Sequence, residues 1–520
     1  MNITKKTTPK PEYVLDRSFE EEDKDPHELH SPLPELSLSQ IIESIGVGRF
    51  HYIMIFVVSL NFLSISFQYI LPGLMLPTFF KEFELGSFEL SIYGFCEYSG
   101  YLTGSLLSYF LSERFGRRKT ILVTLIFSAI IIALCCLAQS IFVIILLRFL
   151  AINALVINYY YTYAFMLELL PPKTKKNLTI YIQIMNSLGP VLCILLVSWV
   201  FESLDYGNWQ LIMIISSILI WIAFSLNAMI LDESPYYNMK KGNSEAAYLV
   251  INKIAKFNIK NPEFLNLEKK RMISSWFIKN ESNFNLMKKS QTNVNVFEDK
   301  FNLGLMIIWA VDMFIFHGFD FILPIFLVLQ KNAIDPLYQK HELLDYLTIM
   351  HVVSCSYIIL VFCVERINFR RKIFVLFLQL AGAVVSLFMG LNMPPSFFFW
   401  MVVFKLLINL YSFFKMQILC QRNNEKTLGV NLKTVKIYGK IGMVTSTFLL
   451  VFFLNLNIYV IYFIFSGLCC VNIFVWPNVQ NNNGEIREEI EKNELNKPLN
   501  NFNGGQDGFD NIYRIIEIPL

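Results

Sequence analysis

Single charged side chains stand inside long apolar stretches of this chain. Arg148 lies in FVIILLRFL, Lys405 in FWMVVFKLL and Asp312 in LMIIWAVDMF. A charge in such a stretch is costly in a lipid environment, so each is by default a candidate for handling an ion or a solute. Two cations that face one cavity would suit an anionic or zwitterionic solute. The alternative is structural, with the cations snorkelling to the interface or paired with a carboxylate.

Other ionisable groups in apolar stretches extend the candidate set. His317 and Asp320 are three residues apart and therefore share one face of a helix. A carboxylate–imidazole pair in a low-dielectric cavity can carry a proton, although a structural hydrogen-bonded pair fits the same spacing. Glu97 is either a coupling carboxylate or the partner that neutralises Arg148. Asp312, near the middle of its stretch, is a further coupling candidate.

The sequence does not indicate an enzyme. The nine cysteines have no metal-ligand spacing, and there is no glycine-rich phosphate loop, metal-ligand cluster or nucleophile–base pair. We therefore predict no catalytic residue, no cofactor and no metal site.

The elements that must position these residues are membrane helices. Hydrophobic residues make up 54% of the chain and charged residues 16%, whereas soluble proteins carry about 25% charge. The net charge of +3 gives no reason to expect a nucleic-acid partner. Apolar runs of about 20 residues can cross a bilayer as helices. They predict an all-α polytopic membrane protein with twelve spans, at 52–78, 88–111, 120–138, 141–165, 178–201, 210–231, 303–328, 344–364, 373–392, 396–417, 436–456 and 457–476.

One long polar segment divides these spans into two halves of six. We predict a cytosolic disordered tail with an amphipathic end at 1–49, an N-terminal six-helix half at 50–231 and a C-terminal half at 303–477. The segment 232–302 is predicted as a cytosolic linker with short helices, and 478–520 as a second disordered tail. Lys and Arg cluster in the short loops of one side, which predicts that both termini are cytosolic.

A charged loop motif occurs once in each half. SERFGRRK (112–119) and VERINFRRK (364–372) both follow the second span of their half. The corresponding residues are Glu113 with Glu365 and Arg114 with Arg366. Arg148 and Lys405 likewise both lie in fourth spans. Internal repeats of this kind are typical of secondary transporters.

These motifs resemble those of the major facilitator superfamily, and within it the branch of synaptic vesicle proteins, organic-ion transporters and sugar porters. Three other stretches resemble motifs of this branch: E-S-P at 233–235 after span six, SLSQIIESIGVGRFHY before span one, and Phe314–Gly318 in span seven. The resemblance implies two pseudo-symmetric six-helix halves, the major facilitator fold. The family's loop motif G-x-x-x-D-R-x-G-R-R is matched here by Tyr109, Glu113, Arg114, Gly116, Arg117 and Arg118.

The resemblance also implies a cytosolic latch between the halves. In the family, the loop acid caps a helix N-terminus of the opposite half, where the helix dipole favours a negative charge. The alternative is that the bases satisfy the positive-inside rule and contact anionic lipid. The latch candidates are Glu113, Arg114, Gly116, Arg117, Arg118, Glu365, Arg366, Glu168 and Glu233.

Two departures from the family pattern bear on activity. Tyr109 stands where the family has glycine, and a large side chain there would hinder close approach of the halves. Ile65 and Gln68 stand where the vesicle-protein branch has an acidic pair in span one. A coupling carboxylate would then lie elsewhere, with Asp312 favoured. We keep Gln68 as a candidate for the substrate pathway.

The predicted function is secondary transport, or facilitated passage, of a small organic solute by alternating access, the solute being an organic ion or sugar-like. The alternative is a non-transporting relative that acts as a receptor, trafficking factor or scaffold. The expected partners are the lipid bilayer and the solute, with or without a coupled proton or ion, and we expect a monomer. The plasma membrane and endomembrane vesicles fit the charge pattern equally well.

Overall fold

The structure is a computed structural model, and it describes residues 38–111, 115–171, 175–258, 300–329, 340–358, 371–391, 397–422, 425–453 and 459–476. The predicted disordered tails lie mostly or wholly outside these ranges, and so does most of the linker. The interpretation of these segments stays a prediction.

Within the described ranges the chain is almost entirely helical. A short antiparallel hairpin, β1 (Phe201–Ser203) with β2 (Tyr206–Gly207), is the one sheet among the described residues. The helices of the first part are α1 (Leu38–Ile45), α2 (Arg49–Glu82), α3 (Ser87–Leu111), α4 (Arg117–Cys135), α5 (Ile141–Leu169), α6 (Lys175–Val200), α7 (Trp209–Ile230), α8 (Pro235–Lys240) and α9 (Ser244–Asn258). Those of the second part are α10 (Lys300–Leu329), α11 (Lys340–Ser354), α12 (Arg371–Gly390), α13 (Phe397–Arg422), α14 (Glu425–Phe452) and α15 (Tyr459–Trp476).

Helices α2–α7 and α10–α15 correspond to the twelve predicted spans. Eight described helices are long and apolar enough to cross a membrane, judged by length and composition. Shorter apolar stretches occur in α6, α11 and α14, at Ser187–Val200, Leu343–Ser354 and Ile437–Phe452. The remaining helix, α3, carries the buried Glu97. We call α2–α7 the first half and α10–α15 the second half.

The two ends of the helix bundle are distinguished by what they carry. We call the end with the β1–β2 hairpin the hairpin end, and the end with Gly116 and Glu233 the network end. At the hairpin end, Lys81 pairs with Asp205 next to β2, and Trp209 Nε1 donates a hydrogen bond to Glu82 Oε2 over 2.6 Å. Trp209 begins α7, so these contacts join the end of α2 to the start of α7.

Among the described residues, the halves contact each other mainly along three pairs of helices: α2 with α10, α3 with α14, and α6 with α11. The α2–α10 contact is so close that a Cβ added to Gly73 would lie 2.9 Å from the carbonyl oxygen of Asp320, which explains a glycine at this position. Nearer the hairpin end, the hydroxyls of Ser198 on α6 and Thr348 on α11 are 3.0 Å apart. The contacts described between the halves thus run from the bundle centre to the hairpin end.

The surface helices α1 and α9 are fastened to the start of α2 by one side chain. Asn258, the last residue of α9, accepts a hydrogen bond from Phe50 N (3.1 Å) and donates to Gly46 O (3.2 Å). Its Nδ2 also lies 3.1 Å from Nδ1 of His51, whose Nε2 is 3.2 Å from Leu169 O at the end of α5. One amide therefore links the surface helices to the first span.

We expect Asn258→Ala to loosen this junction without unfolding the bundle. Each hydrogen bond lost at a part-buried site costs about 1 kcal/mol, so losing the bonds to Phe50 N and Gly46 O should make amides near residue 50 exchange with solvent about thirtyfold faster. Hydrogen–deuterium exchange read by mass spectrometry measures this, with Lys256→Ala on the same helix as the control. Unchanged exchange in Asn258→Ala would show that the side chain does not hold the junction.

Candidate functional site

The first candidate group is a buried ion pair inside the first half. Arg148 on α5 faces Glu97 on α3 in a two-pronged contact, with Nη2–Oε1 at 2.5 Å and Nε–Oε2 at 2.9 Å. Gln68 Oε1 on α2 accepts a further hydrogen bond from Arg148 Nη1 at 3.0 Å. Both charged side chains are fully buried, at 0% and 1% exposure. Glu97 therefore pairs with Arg148, as the structural alternative for this residue predicts.

The second group is the equivalent pair of the second half. Lys405 on α13 lies 2.5 Å from each carboxylate oxygen of Asp320 on α10, and both side chains are buried. The ammonium also sits over the ring of Phe316, 4.2 Å from its centroid, as in a cation–π contact.

The pair expected between His317 and Asp320 is not formed. Asp320 uses both oxygens for Lys405, and Nδ1 of His317 has no hydrogen-bond partner among the described residues. The spacing placed both groups on one helix face correctly, but a lysine from another helix lies closer to the carboxylate than the imidazole does. The prediction of an imidazole–carboxylate pair was therefore wrong.

An aromatic cluster lies where these pairs meet the boundary between the halves. Tyr69 of α2 donates a hydrogen bond to Asp320 Oδ2 over 3.4 Å, which links the first half to the ion pair of the second. The edge of the Tyr69 ring packs on His317, with centroids 4.6 Å apart. The rings of Tyr98 and Tyr101 stack beside it, at 5.7 Å. We call Tyr69, Tyr98, Tyr101, Phe316 and His317 the boundary cluster.

Three buried polar atoms around the boundary cluster have no hydrogen-bond partner in the described part of the chain. They are Nε2 of Gln68, the hydroxyl of Tyr101 and Nδ1 of His317. Buried polar groups are normally satisfied, so unpartnered ones deserve a physical explanation. Together they offer one donor and two groups able to donate or accept.

The fully buried charges of this central region form pairs. Two cations, Arg148 and Lys405, are each matched by one carboxylate, Glu97 and Asp320. A further cation, the part-buried Lys440, lies over the ring of Tyr101, 5.1 Å from its centroid. Because each of the two buried cations is paired with a carboxylate, these four residues contribute no net charge that would select a simple anion. The expectation of an anionic or zwitterionic solute stays a prediction.

A third buried ion pair includes a residue that sequence reasoning missed. Asp312 on α10 pairs with Lys415 on α13 and accepts hydrogen bonds from Tyr411 (2.9 Å) and Asn472 Nδ2 (2.5 Å). Gln379 Nε2 donates in turn to the Tyr411 hydroxyl over 2.7 Å. We call these five residues the Asp312 network.

A signal for Lys415 was present in the sequence. It stands ten residues after Lys405, inside the same predicted span at 396–417, but the sequence analysis did not single it out. Its side chain is instead 1% exposed, with the ammonium 4.0 Å from the ring centroid of Trp309.

The predicted latch residues that are described form a network within the first half. Glu233 accepts hydrogen bonds from the backbone N–H groups of Arg118 (3.1 Å) and Ser234 (3.0 Å). It therefore caps the N-terminus of α4, where the helix dipole favours a carboxylate. A Cβ on Gly116 would overlap the Glu233 carboxylate, so a larger residue there would displace this cap.

The two arginines of the motif bind neighbouring helices. Arg117 contacts Glu168 at the end of α5, with Nη2–Oε1 at 2.8 Å, and Glu168 also accepts from Ser234. Arg118 donates to the carbonyl oxygens of Ala228 (3.0 Å) and Leu231 (2.5 Å), which end α7. These contacts join α4, α5, α7 and α8 at the network end.

The remaining latch residues, Glu113, Arg114, Glu365 and Arg366, lie outside the described residues, as does the side chain of Tyr109. A latch that crosses to the second half therefore stays a prediction. Among the described residues, no group of three or more His, Cys, Asp or Glu side chains could hold a metal ion.

Comparison with known proteins agrees with this architecture. The family model for the Major Facilitator Superfamily matches residues 56–423. The relatives include a putative transporter, svop-1, of Caenorhabditis elegans, 24% identical over 56% of this chain and 54% of its own length. Another is the synaptic vesicle 2-related protein of Xenopus laevis, 25% identical over 45% of this chain and 42% of its own. The chain thus spans about half the length of the curated relatives it matches, or less.

Among solved structures, the xylose transporter XylE from E. coli in a partially occluded inward-open conformation is similar in fold. It superposes with a TM-score of 0.64 at 14% identity, covering 82% of this chain and 98% of that one. The predicted all-α membrane fold, with twelve helices in two six-helix halves, is confirmed.

Breaking one member of the Arg148–Glu97 pair should cost more than removing both. Glu97→Gln leaves a buried guanidinium without a counter-charge, a loss of about 3–5 kcal/mol. We expect the melting temperature of the detergent-solubilised protein to fall markedly in Glu97→Gln and to recover largely in Glu97→Gln/Arg148→Met. Lys253→Ala, which removes an exposed pair with Asp232, should leave it unchanged. Equal losses in the single and double variants would contradict a coupled pair.

Proposed function

Because the chain belongs to the major facilitator superfamily, we propose that it carries a small neutral or zwitterionic, hydroxylated organic solute across a membrane by alternating access. The observation that carries this proposal is the central pairing of charges, one ion pair in each half, with Tyr69 bridging the boundary to Asp320. A solute bound there would contact both halves at once, which is the condition for coupling its binding to their relative movement.

The chemistry around the boundary cluster supports the solute class. Gln68, Tyr101 and His317 each present a buried polar atom without a protein partner, and together they can donate and accept. A polyhydroxyl solute supplies both donors and acceptors, whereas a simple ion would need an unpaired opposite charge. Flat aromatic faces such as those of Tyr69 and Tyr98 pack against the apolar face of a ring.

The contacts between the halves support a cycle with two access states. They run from the centre to the hairpin end, as at Ser198–Thr348, and would close that end. We place the network end in the cytosol because the base-rich loops predict it, so this state would be the inward-facing one. Both termini are then cytosolic, in a protein that we expect to act as a monomer in the plasma membrane or a vesicle membrane.

Removing the hydroxyl of Tyr101 should lower the apparent affinity for the solute without disrupting the fold. In proteoliposomes, we would screen radiolabelled D-xylose and a panel of other neutral polyols and zwitterions by counterflow. For a solute that moves, Tyr101→Phe deletes one hydrogen bond, worth about 1.4 kcal/mol or a tenfold loss in apparent affinity. Tyr161→Phe, at a buried tyrosine nearer the network end, should leave affinity unchanged.

Equal effects of the two changes would place the solute elsewhere. If the protein moves no member of the panel although it is folded, the alternative of a receptor, trafficking factor or scaffold is favoured instead.

Locking the hairpin end tests alternating access directly. Ser198→Cys/Thr348→Cys places two thiols where hydroxyls are 3.0 Å apart, so a disulfide or short cross-linker can join α6 to α11. We expect oxidation to stop counterflow and a reducing agent to restore it, while each single variant is unaffected. Mass spectrometry would confirm the cross-link against the native cysteines. Continued counterflow by fully cross-linked protein would contradict opening at this end.

A further inference from the structure

We propose that the Asp312–Lys415 pair is a proton-binding site inside the second half, separate from the solute site. Only the use of the proton to drive transport rests on the proposed function; the site itself does not. The Asp312 network has a counterpart at the corresponding place in the first half, where the equivalent helices meet.

The first half fills that place with neutral groups. Asn61 is the thirteenth residue of α2, as Asp312 is of α10. Asn158 follows Arg148 by ten residues, as Lys415 follows Lys405. The two ion-paired residues of the second half therefore have asparagines as their counterparts in the first.

The neutral network of the first half is closed on itself. Asn61 and Asn227 exchange two amide hydrogen bonds, at 3.1 Å and 2.8 Å. Asn61 also donates to Thr162 (3.2 Å), and Thr162 donates to Asn158 (3.3 Å). Asn158 reaches Thr124 on α4 at 3.3 Å, so α2, α4, α5 and α7 are joined without any charge.

Charge is thus not needed to join these four helices. A buried ion pair is often no more stable than neutral groups of similar size, because both charges must leave water. Intramembrane ionisable residues that the fold does not require are functional candidates. The excess of the second half over the first is one carboxylate and one ammonium, at Asp312 and Lys415.

The Asp312 network also differs from the network of the first half because it contains hydrogen-bond acceptors without donors. Asn472 Nδ2 donates to Asp312 and Gln379 Nε2 to Tyr411, which fixes the orientation of both amides, because a flipped amide would oppose two acceptors. Their oxygens, Oδ1 of Asn472 and Oε1 of Gln379, are buried without a donor among the described residues. Water is the donor that such a site takes up most readily.

A cleft leads to these oxygens. Its walls come from α10, α12, α13 and α15, and its lining includes Asp312, Gln379, Tyr411 and Asn472. The half-buried Phe316, which belongs to the boundary cluster, is also part of the wall. Water in the cleft would connect the Asp312 carboxylate toward the central region, which provides a path for a proton.

The loading step is a simple proton transfer. A hydronium ion in the cleft gives its proton to a carboxylate oxygen of Asp312; one O–H bond breaks in the hydronium, one forms on Asp312, and water remains. The titratable groups that face Asp312 are Lys415 and Tyr411 from α13 and Cys469 from α15. With Lys415 still protonated, the charge of the site rises from zero to +1, and unloading reverses the step.

Protonation of Asp312 would weaken the attachment of α10 to α13. Asp312 and Asp320 both lie on α10, about 12 Å apart along the axis, and Lys415 and Lys405 both lie on α13, about 15 Å apart. Two ion pairs therefore clamp the same two helices. When Asp312 is neutral, its ion pair with Lys415 is lost, and the Asp320–Lys405 pair at the solute site remains.

Infrared difference spectroscopy on the purified full-length protein tests the site without any solute. On acidification we expect one protonated-carboxyl band, distinct from those of the exposed carboxyl groups, that is present in the native protein and lost in Asp312→Asn. The double variant Asp312→Asn/Lys415→Asn, which copies Asn61 and Asn158, should fold and also lack the band. Asp320→Asn/Lys405→Asn, which removes the other clamp between the same helices, should retain it.

Two results would overturn the proposal. A band that persists in Asp312→Asn, or no band assignable to Asp312 over the pH range in which the protein stays folded, would show that the carboxylate does not titrate. Failure of the double asparagine variant to fold, with the native protein and Asp312→Asn both folded, would show that the charges are structural after all.

The use of the proton is measured separately with a solute that moves in counterflow, D-xylose being the first probe. A trapped pH-sensitive dye should report proton movement with the solute in the native protein and at least a tenfold smaller signal in the double asparagine variant, which should still exchange solute. Proton movement that is equal in both would contradict the coupling role. No solute movement in either, with a normal infrared band, would count against the proposed transport and not against the proton site.

Discussion

A charge that leaves water for a membrane interior must bring its counter-charge with it, and this constraint organises the described part of the protein. The Asp, Glu, Lys and Arg side chains that are buried there form three pairs: Arg148 with Glu97, Lys405 with Asp320, and Lys415 with Asp312. An unpaired partner would cost several kcal/mol, so each pair fixes which helices must be neighbours. The pairs therefore tie specific helices together inside the bundle.

The pairs are distributed unequally between the halves. In the first half, Arg148 joins the fourth helix to the second, through Glu97 on α3. In the second half both lysines join the fourth helix to the first, through α10. Pseudo-symmetry places the cations Arg148 and Lys405 in equivalent positions, but not their carboxylates. A repeat in the sequence can thus preserve the location of a charge while its partner changes helix.

Hydropathy was enough to predict the twelve helices, because each must satisfy its backbone hydrogen bonds internally and present about 20 apolar residues to lipid. The Arg148–Glu97 pair could be named as an alternative because both residues stood alone in apolar stretches. The spacing of His317 and Asp320 predicted a pair between them, but Asp320 pairs with Lys405. Spacing along one helix gives no information about a lysine on another helix. Lys415 was missed for the related reason that the sequence alone does not show that another helix brings Asp312 to it.

The inequality between the halves also indicates where movement would originate. The first half is joined at the network end by Glu233, Arg117 and Arg118, and in its interior by a closed network of neutral amides and hydroxyls. None of the bonds in this amide–hydroxyl network depends on protonation, and the Arg148–Glu97 pair is the one buried ion pair described in this half. In the second half, two ion pairs, Asp312–Lys415 and Asp320–Lys405, hold α10 to α13. A proton on Asp312 would weaken the first pair. A solute near the boundary cluster could compete for the second. Because the same helix, α10, carries Asp320 to the Tyr69 bridge, a change in either clamp would act directly on the contact between the halves. The first half would then serve as the fixed frame, and the α10–α13 pair as the element that responds.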